Sequence, residues 1–286
     1  MNDSRAWLEW DSARARDWIA VPRAGDDKYS RGVLGVRTGS DEYPGAAVLG
    51  VEAAARAGVG MVRYLGPRRA SDLVLQRRPE AVTVAGQAQA WLLGSGQDAA
   101  ARDRVTEAAL LGALAEGLPT VCDAGALDLI GRAVGPVVIT PHYRELARLL
   151  TRLLSPRGES VAGSEVASDP GEWAVRAATG LGVTVLLKGS ITWIASPDGT
   201  RLTVSQGPAW LATAGSGDVL GGILGAFLAT HARAIQTDAA ALPSLAATAA
   251  LVHAQAADRA SAGGPITALD IAEAVPATIS ALIARS

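Results

Sequence analysis

Cysteine, aromatic residues and long apolar runs are all scarce in this chain of 286 residues, and each shortage excludes a class of protein. The single cysteine, Cys122, excludes an internal disulfide and any zinc site built from several cysteines. No stretch approaches the roughly 20 apolar residues of a membrane-spanning helix. Residues 1–20 carry too many charges for a signal peptide. We therefore expect a cytoplasmic protein without a membrane partner.

An excess of one charge sign is also lacking, because 26 lysine and arginine residues stand against 28 acidic residues. This balance gives no reason to expect a nucleic-acid partner. Aliphatic residues and glycine supply the apolar content, which is typical of parallel strands covered by helices. The length fits one domain, and we expect a single domain over residues 1–286, with a lead segment (1–25) that carries no recognisable motif.

Short apolar runs alternate with longer helical patterns along the chain. Strands are predicted over residues 33–36, 60–65, 81–85, 90–93, 120–122, 137–139, 183–187, 192–195 and 201–204. Helices are predicted over residues 44–57, 98–116, 144–153, 172–179, 218–230, 242–260 and 268–284. This alternation predicts an α/β fold with a doubly wound, mostly parallel sheet. The turn at 196–200 predicts an edge β-hairpin, and the composition of 155–171 predicts an exposed loop.

A loop of small residues at 212–217 runs directly into an apolar helix. The first turn of a helix leaves backbone N–H groups without partners, and glycine lets an anion approach them closely. We therefore predict that the N–H groups of Ala214, Gly215, Ser216 and Gly217 form an anion hole for a phosphate.

Asp218 lies in the first turn of this helix, where two interpretations are open. It caps the helix, for about 1 kcal/mol, or it acts on the reacting group as a base or orienting carboxylate. We favour the second, because a cap needs neither glycine on both sides of Ser216 nor the helix glycines Gly221, Gly222 and Gly225. These glycines indicate that something approaches the helix backbone closely. The helix dipole predicts a lowered pKa for Asp218.

The segment Gly215-Ser216-Gly217-Asp218 resembles the Gly-x-Gly-Asp anion-hole motif of ribokinase-like enzymes. From about residue 28 to about residue 283, the chain further resembles the ADP-dependent NAD(P)H-hydrate dehydratases. The similar blocks occur in the family's order, at residues 28–47, 54–62, 93–98, 121–127 with 138–145, and 186–192 with 215–218. The chain departs from the family pattern at Thr38, Gln97, Asp98, Gly125, Tyr143 and Arg144.

The resemblance implies a ribokinase-like fold and a role for each site residue. Contacts to the hydrated nicotinamide nucleotide are implied for Ala46, whose small side chain would leave room for a ring, and for Gly96, His142 and Asp218. Contacts to ADP or AMP are implied for Lys188, Gly189, Ser190, Ile191, Thr192 and Gly217. No direct metal ligand is expected, although Asp123 is a candidate for contact with a metal–phosphate cluster.

The implied activity is that of a hydro-lyase that repairs damaged NADH or NADPH. ADP, or ATP, phosphorylates the ring hydroxyl of the S-form of the hydrate (NAD(P)HX), Mg²⁺ bridges phosphate oxygens, and the phosphate then leaves. The resemblance also implies a homotetramer and a separate epimerase protein. Two alternatives stay open, a ribokinase-like small-molecule kinase and a nucleotide-binding sensor without catalysis.

Overall fold

The structure is a computed structural model that describes residues 6–154 and 160–284, and in these ranges nine strands form one mixed sheet. The strands are β1 (Leu8–Glu9), β2 (Val33–Arg37), β3 (Met61–Tyr64), β4 (Ala90–Leu93), β5 (Thr120–Cys122), β6 (Val137–Ile139), β7 (Thr184–Leu187), β8 (Thr192–Ala195) and β9 (Arg201–Val204). Their order across the sheet is β1-β9-β8-β7-β6-β5-β4-β2-β3.

The same ranges contain eleven α-helices. They are α1 (Ser12–Arg16), α2 (Pro44–Arg56), α3 (Arg68–Arg77), α4 (Arg104–Ala115), α5 (Tyr143–Leu154), α6 (Gly163–Ser168), α7 (Pro170–Leu181), α8 (Ser216–Thr230), α9 (Ala232–Thr237), α10 (Ala241–Ser261) and α11 (Ala268–Ala284). The segments Ala124–Arg132 and Ala209–Leu211 are 3₁₀-helical. Among the described helices, none combines the length and the hydropathy that crossing a membrane requires.

The sheet is mostly parallel, as the sequence predicts. Strands β2 to β7 run parallel to one another, whereas β8 is antiparallel to both β7 and β9. The β8–β9 hairpin is confirmed, with Thr192 opposite Val204. It lies next to the sheet edge rather than at it, because β1 pairs in parallel with β9. The carboxylate of Glu9 holds this pairing by accepting the backbone N–H of Ser205 at 3.0 Å.

Alternation of side chains along the strands divides the core into two layers. In β4, Leu92 packs in one layer with α2, α8, α10 and α11, whereas Trp91 and Leu93 pack in the other with α4, α5 and α7. Both faces of the central strands are therefore covered, which explains why these strands are apolar at nearly every position.

The glycines of α8 are positions of close packing against protein. A Cβ on Gly222 would lie 2.2 Å from the backbone oxygen of Gly50 in α2, and a Cβ on Gly225 would lie 3.0 Å from Leu34 of β2. The backbones of α2 and α8 are therefore in direct contact. The sequence predicts that something approaches the backbone of α8 closely, and in the structure this is α2 and the sheet. These glycines therefore do not themselves indicate a ligand.

Three predictions from the sequence are wrong in part. The helix predicted over residues 98–116 begins only at Arg104, where Asp103 is its N-cap. Residues 81–85 do not form a strand, because only Val82 bridges to Arg63 and residues 83–85 are exposed. The predicted loop over 155–171 contains helix α6 and the start of α7, which Asp169 caps by accepting the N–H of Glu172 at 3.3 Å. Residues 155–159 of that prediction lie outside the described residues. The lead segment contributes β1 and α1, neither of which the sequence predicts.

Candidate active site

The predicted site residues follow neighbouring strands at one edge of the sheet. Gly96 follows β4, Asp123 follows β5, His142 follows β6 and Lys188 follows β7. Since the carboxyl ends of parallel strands meet at the same edge, this is where open α/β sheets bind ligands. The backbones of His142 and Lys188 form a parallel bridge, so the turns after β6 and β7 lie side by side.

Asp123 is the central hydrogen-bond acceptor of this edge. The residue is 4% exposed, and its carboxylate accepts from Ser95 Oγ at 3.0 Å, Thr140 Oγ1 at 2.9 Å and Lys188 Nζ at 3.0 Å. Two of these donors follow β4 and β6, the neighbours of β5, and the third follows β7, the neighbour of β6. The carboxylate therefore ties three strand ends together and fixes the lysine.

Lys188 is largely buried, with 22% of its side chain exposed. Burial lowers its pKa, but the nearby carboxylates of Asp123, Glu145 and Asp218 outweigh that effect, so the pKa is raised and the ammonium stays charged. A Cβ on Gly217 would lie 3.4 Å from Nζ. The ammonium group therefore faces the start of α8.

Asp218 has a pKa raised to about 7, so the lowering expected from the helix dipole is wrong. Burial raises this pKa most, the charge of Asp123 adds to it, and the charge of Lys188 opposes it. Desolvation and a like charge outweigh the partial charge of the helix end. A carboxylate with a pKa near neutral pH suits general acid–base chemistry.

The start of α8 leaves backbone donors beside the Asp218 carboxylate. Gly215 adopts a left-handed φ of 86°, and a Cβ there would lie 2.4 Å from Leu49 Cδ1, so glycine is required. The N–H of Ser216 donates to Thr213 O at 3.3 Å within the turn. In the described part of the chain, the N–H groups of Ala214, Gly215 and Gly217 meet no protein acceptor. Three of the four predicted anion-hole donors are therefore available, whereas that of Ser216 is engaged.

His253 is a site neighbour that sequence reasoning missed. It lies in α10, is 5% exposed, and its Nε2 is 3.3 Å from Ser216 Oγ. Burial lowers its pKa to about 4, so the ring is neutral at neutral pH. The contact joins α10 to the start of α8, and a lone histidine in an apolar helix gives no signal of it.

His142 caps α5 in addition to any role towards a ligand. Its Nδ1 accepts the N–H groups of Arg144 at 3.1 Å and Glu145 at 3.2 Å, while Glu145 Oε2 accepts the N–H of His142 at 2.9 Å. This reciprocal pattern is a capping box with histidine as the first member. The ring is half exposed, and the cap fixes its orientation.

Ala46 and Gly96 pack against each other where α2 begins. Gly96 has a φ of 68°, and a Cβ there would lie 2.4 Å from Ala46 Cβ and 3.0 Å from Tyr43 O. The small side chain of Ala46 thus accommodates the backbone of Gly96. The space expected beside Ala46 for a ring is taken, on that side, by protein.

The residues after Lys188 that are predicted to contact the nucleotide, 189–192, form one turn between β7 and β8, which we call the strip. Gly189, Ser190 and Ile191 are exposed, and Thr192 begins β8. A Cβ on Gly189 would lie 2.1 Å from the hydroxyl of Tyr143, one of the residues that depart from the family pattern. Tyr143 therefore packs on the strip, and only glycine fits beneath it.

Two other departures contact each other at the loop after β4. A Cβ on Gly125 would lie 2.6 Å from the backbone oxygen of Gln97 and 2.8 Å from its Cβ, so only glycine fits here. Gln97 Nε2 in turn donates to Gly39 O at 3.3 Å. Gln97 and Gly125 therefore pack together as one unit.

Among the described residues, no three histidine, cysteine or acidic side chains are grouped as metal ligands.

Comparison with known proteins identifies the family. A family model described as NAD(P)H-hydrate dehydratase matches residues 34–277. The bifunctional NAD(P)H-hydrate repair enzyme Nnr of Mycobacterium tuberculosis is 43% identical over 222 residues, which cover 73% of this chain and 43% of the relative. The chain thus spans less than half the length of that relative. The ADP-dependent (S)-NAD(P)H-hydrate dehydratase of Neisseria meningitidis is 35% identical over 222 residues, which cover 71% of each protein.

Solved structures agree on the fold. The ADP/ATP-dependent NAD(P)H-hydrate dehydratase from Bacillus subtilis, co-crystallized with ATP/Mg²⁺, gives a TM-score of 0.81 at 24% identity over 96% of this chain and 99% of that chain. A ribokinase-like superfamily protein from Enterococcus faecalis gives 0.77 at 22% identity over 99% and 98%. The fold is therefore ribokinase-like, and the match over residues 34–277 shows that the chain belongs to the NAD(P)H-hydrate dehydratase family.

Proposed function

We propose that the chain catalyses the ADP-dependent dehydration of the S-form of hydrated NADH or NADPH and so restores the reduced dinucleotide. The observation that carries this proposal is Asp218, whose pKa is raised to about 7 beside backbone donors and a charged lysine. Family membership supports it, because relatives of this chain are named for this reaction.

In the proposed reaction, the terminal phosphate of ADP accepts hydrogen bonds from the N–H groups of Ala214, Gly215 and Gly217 and pairs with Lys188. The exposed strip after Lys188, residues 189–192, contacts the rest of the nucleotide. These groups neutralise charge on the transferring phosphate, which is the main task of a phosphoryl-transfer site.

Asp218 accepts the proton of the substrate hydroxyl as that oxygen attacks the terminal phosphorus of ADP, and AMP leaves. The carbon–oxygen bond of the new phosphate ester then breaks, the adjacent ring carbon loses a proton, and the ring double bond forms. The products are the reduced dinucleotide, AMP and inorganic phosphate. A pKa near 7 lets Asp218 be ionised for the first step at mildly alkaline pH.

The site fits Mg²⁺ that arrives with the nucleotide. Protein magnesium sites commonly use one or two carboxylates together with phosphate oxygens and water. The Asp123 carboxylate already accepts three protein donors, whereas Asp218 accepts no side-chain hydrogen bond among the described residues. When bound, the ion would supply charge neutralisation at the diphosphate, and the oxygens of the Asp218 carboxylate would be open to it.

We further propose that the chain acts in the cytoplasm as a homotetramer and receives the S-form from a separate epimerase. Light scattering after size-exclusion chromatography tests the assembly. An assay with a mixture of both hydrate epimers tests the need for the epimerase, because without it the R-form should remain unconverted.

The deciding experiment compares the protein with its Asp218→Asn variant on hydrated NADH, ADP and Mg²⁺, following recovery of the absorbance of reduced nicotinamide. We expect a loss of at least about 100-fold, the usual scale for an acid–base group. Asp72→Asn is the matched control, because Asp72 is an exposed carboxylate on α3, and it should retain full activity.

The products separate this proposal from the alternatives. A stable phosphorylated product without recovered absorbance would identify a small-molecule kinase. Binding of ADP without turnover of any hydrate would identify a nucleotide sensor. Near-normal turnover by Asp218→Asn would remove this carboxylate from the mechanism.

A further inference from the structure

A cavity lies beside the candidate active site, on the side away from Lys188. We call it the side cavity; its volume is about 480 Å³, within the range of small-molecule sites. It is lined by the turns after β2 and β3, the loop after β4 and the first turns of α4. None of these segments belongs to the proposed ADP strip.

The walls of the side cavity are the same segments that hold the proposed substrate contacts. Gly39 and Tyr43 line it, and both contact Gly96, because a Cβ on Gly96 would lie 3.0 Å from Tyr43 O and 3.2 Å from Gly39 Cα. Gln97 lines it directly after Gly96. A ligand bound over the loop after β4 therefore has this cavity as its neighbour.

Only the hydrated nicotinamide ring of the dinucleotide reacts. The adenosine half of the molecule must therefore bind elsewhere, away from the reacting groups. The strip after β7 is taken by ADP in the proposed reaction, so the β2–β4 side is the direction left along this edge. The side cavity offers apolar walls for a purine, formed by Leu65, Pro67, Val105, Ala109 and Leu110.

The charges of the side cavity are mainly negative. Asp41, Glu42, Asp98 and Asp103 line it, against the two cations Arg37 and Arg102. Arg102 is neutralised by Asp128, which accepts both Nη1 at 2.9 Å and Nη2 at 2.7 Å.

Arg37 is fixed in the wall of the side cavity. Its Nη1 donates to Leu65 O at 3.0 Å, and its guanidinium lies 5.5 Å from the centre of the Trp91 ring. One fixed cation therefore faces four carboxylates. Among the described residues, the exposed carboxylates of Asp41 and Glu42 make no ion pair, although Arg69 Nη1 donates to the backbone oxygen of Asp41 at 2.7 Å.

We infer that the side cavity binds the adenosine half of the substrate and that its carboxylates select hydrated NADH over hydrated NADPH. This inference rests on the proposed function. A neutral ribose diol donates hydrogen bonds to carboxylates, whereas a 2′-phosphate is repelled by them, and dinucleotide sites use acidic residues and arginine in this contrasting way.

The test measures kcat/KM for both hydrates, and calorimetric affinity for NADH and NADPH, in the protein and in Asp41→Asn/Glu42→Gln. We expect the protein to prefer hydrated NADH by at least about tenfold. The double variant should gain about fivefold on hydrated NADPH for each carboxylate removed, from Coulomb repulsion at short range in water, and should lose activity on hydrated NADH, because the ribose hydroxyls lose their charged acceptors. The control Asp72→Asn/Glu80→Gln removes two exposed charges of α3 and its end, and should keep the preference.

Equal kcat/KM values for the two hydrates in the unaltered protein would overturn the inference and leave the proposed function standing. A preference that survives in Asp41→Asn/Glu42→Gln would overturn the role of these carboxylates. Tighter binding of NADH than NADPH, lost in the double variant but without turnover of either hydrate, would support the inference and overturn the proposed function. Failure to bind either dinucleotide would overturn both.

Discussion

Replacing Asp218 with asparagine is expected to stabilise the protein at alkaline pH while it removes activity. The pKa of this carboxyl rises from 3.8 to about 7 on folding, chiefly through burial. At about 1.4 kcal/mol per pH unit, this difference corresponds to about 4 kcal/mol of unfavourable free energy for holding the ionised group in the folded state. Asparagine has the same shape without the charge.

The sign of the effect fixes its pH window. Below pH 3.8 the carboxyl is protonated in both the folded and the unfolded protein, so it does not lower the free energy of unfolding. As the pH rises to about 7, the unfolded chain releases this proton while the folded protein keeps it, and stability is lost. The advantage of Asp218→Asn should therefore grow with pH and level off above 7, with about 3 kcal/mol of the growth between pH 5 and pH 8.

Urea denaturation of both proteins at several pH values measures this difference directly. Titrating groups that do not interact with Asp218 cancel, because they are common to the two proteins. A difference in the free energy of unfolding that stays constant within about 0.5 kcal/mol from pH 5 to pH 8.5 would refute the reasoning, and with it the unfavourable charge at the start of α8.

Three further predictions concern other positions. Glu52→Gln should lower the free energy of unfolding by about 3 kcal/mol at pH 7. Burial alone would raise the pKa of this carboxyl, but hydrogen bonds from three arginines lower it to about 2. Urea denaturation should therefore show a loss of stability above pH 4.5 that fades towards pH 2. Gly222→Ala should cost about 1–3 kcal/mol and lower the Tm, because its Cβ would meet Gly50 O at 2.2 Å. Gly217→Val should weaken ADP binding at least about tenfold by calorimetry with an unchanged circular dichroism spectrum, since its side chain would enter the space in front of Lys188.

Each of these has a contrary outcome. A loss for Glu52→Gln that does not depend on pH would mean that the carboxylate charge is not what stabilises. A Tm raised by Gly222→Ala would mean that helix propensity outweighs the contact with α2. Undiminished ADP affinity in Gly217→Val would count against the phosphate site.

The central strands could be predicted from the sequence because both of their faces are buried. Strands β5 and β6 begin and end where the apolar runs do, and β4 is apolar at all four positions. Helix α3 gave no such signal, since only Ala70 and Val74 are buried among its ten residues, four of which are charged. Strand β1 has two exposed side chains, and it exists only because β9 offers an edge from about 190 residues further along the chain.

The positions of the site residues at the strand ends could be predicted from the sequence, but their protonation behaviour could not. Pattern and resemblance brought Asp123, Lys188 and Asp218 to one edge, and the structure brings them together. The direction of the pKa shift at Asp218 could not be predicted, because it depends on burial and on a carboxylate 95 residues earlier. The contact of His253 with Ser216 likewise joins two helices across 37 residues.

Direct contact between the backbones of α2 and α8, at Gly50 and Gly222, has a consequence for motion. Helix α2 begins beside Ala46, and α8 begins beside Asp218, so the proposed ring contact and the proposed base are mounted on one rigid block. A hinge between them would need two closely packed backbones to slide apart. Substrate entry and product escape must therefore rely on the turns above this block, and the separation of the reacting groups is set when the chain folds.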